Sequence, residues 1–133
     1  MLTAWDTKLT RQPLLVPAPD FTRTDGAVVD FFGVVRDVED GRRIEGIEYE
    51  AFAPMAERLL AEIAQEAVEL HRVGHVVLHH RIGFVPAGEA SLFLRVFSER
   101  RKAAFRASES LVERLKELVP IWKHPVYATV QVA

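Results

Sequence analysis

Two lysines, Lys116 and Lys123, stand seven residues apart in "LKELVPIWKHP", on either side of Pro120 and close to Trp122. An ammonium group becomes a nucleophile or general base once a neighbouring like charge favours its neutral form. While charged, it steadies negative charge that develops in a reaction. Each lysine also has a plainer reading. Lys116 suits a surface helix beside Glu113 and Glu117, and Lys123 suits a strand edge. A helix that stops at Pro120 and turns straight into a strand would bring both to one mouth, with Trp122 as a neighbouring wall.

A second group of positive charge lies in "SERRKAAF", where Arg100, Arg101 and Lys102 fall at the expected start of a helix. Acids normally occupy a first turn, so bases there invite another reading. Together with the free N–H groups of the helix start they can hold an anion such as a phosphate. The plainer alternative is a solvated charged face. Arg36, which closes an apolar run after Gly33, offers the same choice.

Other chemistries fall away. With no cysteine, the chain has no disulfide, thiolate metal site or sulfur nucleophile of its own, so any sulfur must come from a partner. His71, His75 and His79 recur every fourth residue, but Gly74 and the valines after it make a strand start, where that spacing does not converge on a metal. No resident metal or cofactor is expected. Ser91, Ser98, Ser108 and Ser110 lie in no nucleophile elbow, no glycine loop resembles a phosphate cradle, and Glu48 and Glu50 alternate on an exposed strand face. The net charge of −2 argues against nucleic acid or an anionic membrane as the main partner. An RNA-binding use of Arg100, Arg101, Lys102 and Arg106 is therefore the weakest reading. The opening residues lack the pattern of a signal peptide and no apolar run is long enough to span a bilayer, which leads to a cytoplasmic expectation.

At 133 residues and 49% hydrophobic content, a single domain over 1–133 is expected. Residues 1–25 read as an extended arm or edge strand, since "QPLLVPAPDF" alone holds three of the seven prolines. "GAVVDFFGVVRD" reads as a strand, with Asp40-Gly41 as a turn leading into the alternating "RIEGIEYEAF", so the two are expected to pair as a hairpin. Met55, Leu59, Ile63, Ala67 and Leu70 mark a helix. "HVVLHHRIGFV" and "ASLFLRVFS" give a second hairpin, and Ala104, Ala107, Leu111, Leu115 and Leu118 stripe a second helix of about 100–119. "IWKHPVYATVQVA" finishes as extended chain. The order ββαββαβ lacks the strand–helix alternation of a parallel sheet, which leads to an α+β fold with two main helices on a mostly antiparallel sheet.

Five separated blocks, "FFGVVRD", "IEYEAFAPMAE", "HRIGFVPAGE", "SERRKAAF" and "RLKELVPIWK", together resemble the catalytic large-subunit family of molybdopterin synthase from Gly26 to Lys123. The resemblance implies an α/β hammerhead-type architecture. It implies an enzyme of molybdenum cofactor biosynthesis, a sulfurtransferase that converts cyclic pyranopterin monophosphate to molybdopterin. The implied sulfur source is a small ubiquitin-like carrier subunit with a Gly-Gly thiocarboxylate tail, in a heterotetramer built around a homodimer of large subunits. Matched by motif, Lys116 and Lys123 would be the catalytic lysines. Arg36 and Arg101 would be phosphate ligands, with Arg100 alongside and Phe32 helping to wall the pocket; Trp122 is a substrate-binding candidate from its place beside the lysines. Three departures stand out: Arg100 replaces the family's usual histidine, "HPVYATVQVA" replaces an acidic residue and a longer tail after Lys123, and the Pro-rich start replaces a helical stretch. Arg100 motivates a second reading, a noncatalytic dimeric scaffold that keeps an anion pocket.

Overall fold

Gly83, at φ +83°, breaks what reads as one strand into two. In the computed structural model, which describes residues 4–129, β5 (His75–Arg81) lies in one sheet and β6 (Gly83–Pro86) in another. A side chain at such a φ is strained, so glycine is what lets the chain change sheets there.

The first sheet runs in the order β1 (Trp5–Thr10), β5, β7 (Ala90–Ser98), β2 (Ala27–Val34). β1 joins it parallel to β5, while β5–β7 and β7–β2 are antiparallel. In the second sheet, β4 (Arg42–Ala51) is the centre: β3 (Val38–Glu39) pairs with its start, β6 runs along one side and β8 (Ile121–Tyr127) along the other. Helices α1 (Ala53–His71) and α2 (Arg101–Leu118) pack on the first sheet around Leu60, Leu78, Leu94 and Leu111. A smaller core of Val35, Ile44, Ile47, Tyr49, Ile82 and Val85 belongs to the second sheet. The α+β class holds, with two helices and a mostly antiparallel strand set.

Three expectations are corrected. The order ββαββαβ omits β1, β3 and β6, because β1 carries no clean alternation and β3 has only two residues. The expected pairing of "GAVVDFFGVVRD" with "RIEGIEYEAF" does not form: β2 pairs with β7, and β4 with β6 and β8. The Asp40-Gly41 turn is real, both residues having positive φ (51° and 74°) as a two-residue hairpin needs, but it joins β4 to the short β3 instead. On α1 the buried stripe is Ala56, Leu60, Ile63, Ala64 and Ala67, leaving Met55 and Leu70 exposed. Alanines on that face allow close packing, so the larger residues at its margins stay outside.

The Pro-rich stretch after β1 forms neither helix nor strand and is mostly exposed. It is tied to the first sheet by Arg95, which is 3% exposed, bonds both oxygens of Asp30 (2.7 and 2.9 Å) and donates to the Pro17 carbonyl at 2.8 Å.

Candidate functional site

The C-terminal end of α2 turns into β8 within two residues, Val119 and Pro120. The Ile121 N–H donates to the Val119 carbonyl at 2.8 Å around Pro120, and the Phe52 N–H donates to the Pro120 carbonyl at 3.3 Å. That tight reversal suits proline, whose fixed φ favours such a turn and whose missing N–H ends the helix. Lys116 sits in the last turn of α2 and Lys123 is the third residue of β8; both are exposed.

Register decides which way Lys123 faces. It lies directly across from Tyr49, while Trp122 is opposite Glu50 and His124 opposite Glu48. Directly opposed residues share a face and successive ones alternate, so Lys123 emerges on the face of the buried Tyr49. Trp122 projects from the other face of β8, 51% exposed, on the side where His124 meets Glu50 at 2.9 Å. The two lysines flank the turn as the sequence suggests, but Trp122 does not share a face with Lys123.

A buried polar group lies behind Lys123. The Tyr49 ring meets the His80 ring edge to face, with centroids 5.3 Å apart. Its hydroxyl donates to Ser91 Oγ at 3.0 Å, and Ser91 Oγ donates to the Gly33 carbonyl at 3.4 Å. Burial raises the Tyr49 phenol pKa above its usual value and keeps it protonated as a donor. His80 is 4% exposed, and its pKa falls to about 4, chiefly through burial; the Arg81 carbonyl opposes this and the nearby Lys123 charge adds to it. The ring is therefore neutral near pH 7. Nδ1 lies 2.7 Å from the Arg81 carbonyl and must carry the proton, which leaves Nε2 as the accepting nitrogen. Sequence reasoning assigned no site role to Tyr49, His80, Ser91 or Gly33. The available signal was a hydroxyl or imidazole at a buried-face position of an apolar strand.

Gly33 leads back to the other candidates. Phe32, its neighbour, is 43% exposed and packs on Phe93 with ring centroids 5.3 Å apart. Arg36 follows Val35, whose N–H and carbonyl are held by Glu89 and Gly88. Its side chain is exposed and makes no ion pair among the described residues. Arg100 and Arg101 lie elsewhere. Arg100 is the N-cap of α2, its N–H 3.3 Å from Ser98 Oγ; Arg101 opens the helix, and no acid occupies the first turn. The β2–β7 ladder runs from Ala27 opposite Ser98 to Val34 opposite Ala90, so Arg36 lies past one end and Arg100 and Arg101 past the other. At about 3.3 Å per residue that ladder holds them roughly 25 Å apart. Along α2, Arg101 and Lys116 are separated by about 22 Å at 1.5 Å per residue. One chain thus gathers Lys116, Lys123, Phe32 and Arg36 toward one end and leaves Arg100 and Arg101 at the other. A depression of about 250 Å³ lined by Thr7, Lys8, Leu9, Glu57 and Leu60 includes none of them.

The family model described as "MoaE protein" matches residues 9–118, most of the chain. The chain belongs to the MoaE family. Among curated MoaE relatives, the molybdopterin synthase catalytic subunit of Bacillus subtilis is 42% identical over 105 residues, covering 79% of this chain and 67% of that protein. The molybdopterin synthase catalytic subunit of Oryza sativa subsp. indica is 42% identical over 77% of this chain, which spans only 53% of the rice protein. The chain thus covers about two thirds of the first relative and about half of the second. Among solved MoaE-like structures, molybdopterin synthase from Staphylococcus aureus aligns with a TM-score of 0.77 at 41% identity, covering 81% of this chain and 79% of that one. A complex of subunits 1 and 2 of molybdopterin-converting factor from Helicobacter pylori aligns with a TM-score of 0.65 at 27% identity, covering 80% and 73%.

Proposed function

We propose that the chain is the catalytic subunit of a molybdopterin synthase, acting in molybdenum cofactor biosynthesis on cyclic pyranopterin monophosphate. Sulfur comes from the thiocarboxylated C-terminus of a small ubiquitin-like carrier subunit. The observation that carries this reading is the pair of lysines on either side of the Pro120 turn in a MoaE chain. It is supported by the names of the relatives and by the two-subunit complex from Helicobacter pylori. The absence of cysteine from the sequence agrees with sulfur supplied from outside.

In this reading the carrier tail lies between the helix end and β8. Lys116 contacts the thiocarboxylate carbon or moves a proton there, and Lys123 steadies the negative charge that develops as sulfur transfers. Phe32 walls the pterin site and Arg36 takes part in holding the phosphate, while Trp122, on the face of β8 away from Lys123, lies outside that wall.

Arg100 and Arg101 reach that phosphate only from a second copy of the chain, because the β2–β7 ladder separates them from Arg36 within one copy. The active form is accordingly a homodimer of this chain carrying one small subunit per copy, with each site shared between copies. Both arginines offer planar guanidinium forks suited to a phosphate, and the N–H groups at the start of α2 add to their attraction for an anion.

The test is turnover of cyclic pyranopterin monophosphate by the purified chain with a thiocarboxylated small subunit, and its loss without that subunit. The scaffold reading rests on Arg100, which takes the place of a group that titrates near neutral pH. It predicts substrate binding with no turnover, and turnover regained in Arg100→His.

A further inference from the structure

The lysine strand and the strand that carries Phe32 belong to different sheets, so something must hold the two sheets at a fixed offset if both are to face one substrate. Among the described residues, β8 pairs only with β4 in the second sheet, and β2 pairs only with β7 in the first. Among the described residues, the bond from the Tyr49 hydroxyl to Ser91 Oγ is the one side-chain hydrogen bond joining a strand of the second sheet to a strand of the first. Both residues are buried.

The far end of this link is a local irregularity. The β2–β7 register shifts between Gly33 and Val34, and the Gly33 carbonyl there accepts from Ser91 Oγ. A Cβ on Gly33 would meet Leu92 Cβ at 3.2 Å, so the absence of a side chain lets the two strands close up at the shift. Gly33 lies opposite Leu92 and Val34 opposite Ala90, so the extra residue is Ser91 on β7. Such a bulge re-aims its own side chain, here the hydroxyl bonded to Gly33, whose neighbour in β2 is Phe32, with Arg36 three residues on. At the near end, Tyr49 lies directly across from Lys123, and its ring is braced edge to face by His80.

We infer that Tyr49 is a positioning residue: opposite Lys123 and bonded through Ser91 to the Gly33 carbonyl, it holds the lysine strand in fixed offset to the strand carrying Phe32 and leading to Arg36. This rests on the site reading above, since it assigns Tyr49 to the geometry of that reaction. Tyr49 touches no reacting atom. Its work is to keep the lysine and the pterin wall in one frame, where small misplacements are costly.

Tyr49→Phe keeps the ring against His80 and removes only the hydroxyl, and Ser91→Ala cuts the same chain one link further on. Steady-state kinetics of the complex with a thiocarboxylated small subunit should show kcat lowered about tenfold in each, with KM for carrier and pterin within about twofold. The double variant should be no slower than the slower single, because both cut one link. Ser91→Thr keeps a hydroxyl and should keep kcat. A well-folded Tyr49→Phe with wild-type kcat, or losses that multiply in the double variant, would overturn the assignment. A second measurement needs no turnover: in Tyr49→Phe the backbone amide resonances of both Lys123 and Phe32 should shift, with those of α1 unchanged. If wild type fails to turn over but both resonances shift, the reaction is misassigned and the link stands. If Phe32 does not respond, the link itself fails.

Discussion

Arg36 and Arg101 lie past opposite ends of the same β2–β7 ladder, roughly 25 Å of strand apart, and no side-chain rotation closes that gap. A phosphate held by both must therefore lie between two copies of the chain. Arg36→Ala and Arg101→Ala should each lose most activity, while their equimolar mixture, after subunit exchange, regains about a quarter of the wild-type rate. Half of the dimers are then mixed, and each mixed dimer has one intact site. A mixture as inactive as its components would place both arginines on separate tasks.

Lys116 and Lys123 are exposed and outside the hydrophobic core, so their removal should leave the fold intact. Lys116→Ala and Lys123→Ala should each lower turnover by about 10²-fold or more, with far-ultraviolet circular dichroism and melting temperature near wild type. Near-wild-type rates in both would remove the lysines from the mechanism.

His80 gives the stability a pH dependence of known sign. Its pKa falls from 6.5 to about 4 on folding, chiefly through burial, with the nearby Lys123 charge acting in the same direction and the Arg81 carbonyl against it. The unfolded chain therefore takes up a proton more readily, so the stability linked to neutral His80 is complete above about pH 6.5 and declines as pH falls toward 4. The decline amounts to about 3 kcal/mol at most. Denaturant midpoints between pH 7 and 4.5 should fall more steeply for wild type than for His80→Gln. Equal slopes would mean that His80 takes up its proton in the folded state near its ordinary pKa.

Much of this was legible in the sequence because it is local. Pro120 stops α2 where the turn chemistry requires, Asp40-Gly41 makes a turn, and "ASLFLRVFS" matches β7 residue for residue. Strand pairing was legible for β5 with β7, which pair antiparallel as expected, but not for β2 and β4. The β2 and β4 segments are near neighbours joined by a turn signal, yet each finds a better partner in distant sequence: Phe32 and Phe31 against β7, Ile47 and Tyr49 against β6 and β8. Lys116 and Lys123 stood out because charge near a helix breaker is visible in one dimension. Tyr49, Ser91 and Gly33 span 58 residues and meet only once three strands are aligned, so their connection is a property of the fold.

The N-terminal arm offers a check on how the first sheet is held together. Arg95 is almost fully buried and joins Asp30 to the Pro17 carbonyl. Removing it leaves the partly exposed Asp30 carboxylate without its partner and a gap in the sheet, and Arg95→Ala should lower stability by about 1–3 kcal/mol and speed proteolysis between residues 11 and 25. Unchanged cleavage there would show that the arm is held by other contacts.

The most direct measurement is formation of molybdopterin from cyclic pyranopterin monophosphate by the purified chain with a thiocarboxylated small subunit, run beside Lys123→Ala and Arg100→His. Turnover by wild type, its loss in Lys123→Ala, and its persistence in Arg100→His are the expected results. A wild-type chain that binds the small subunit and the pterin but forms no product, and becomes active only as Arg100→His, would contradict the assignment and leave a dimeric scaffold in its place.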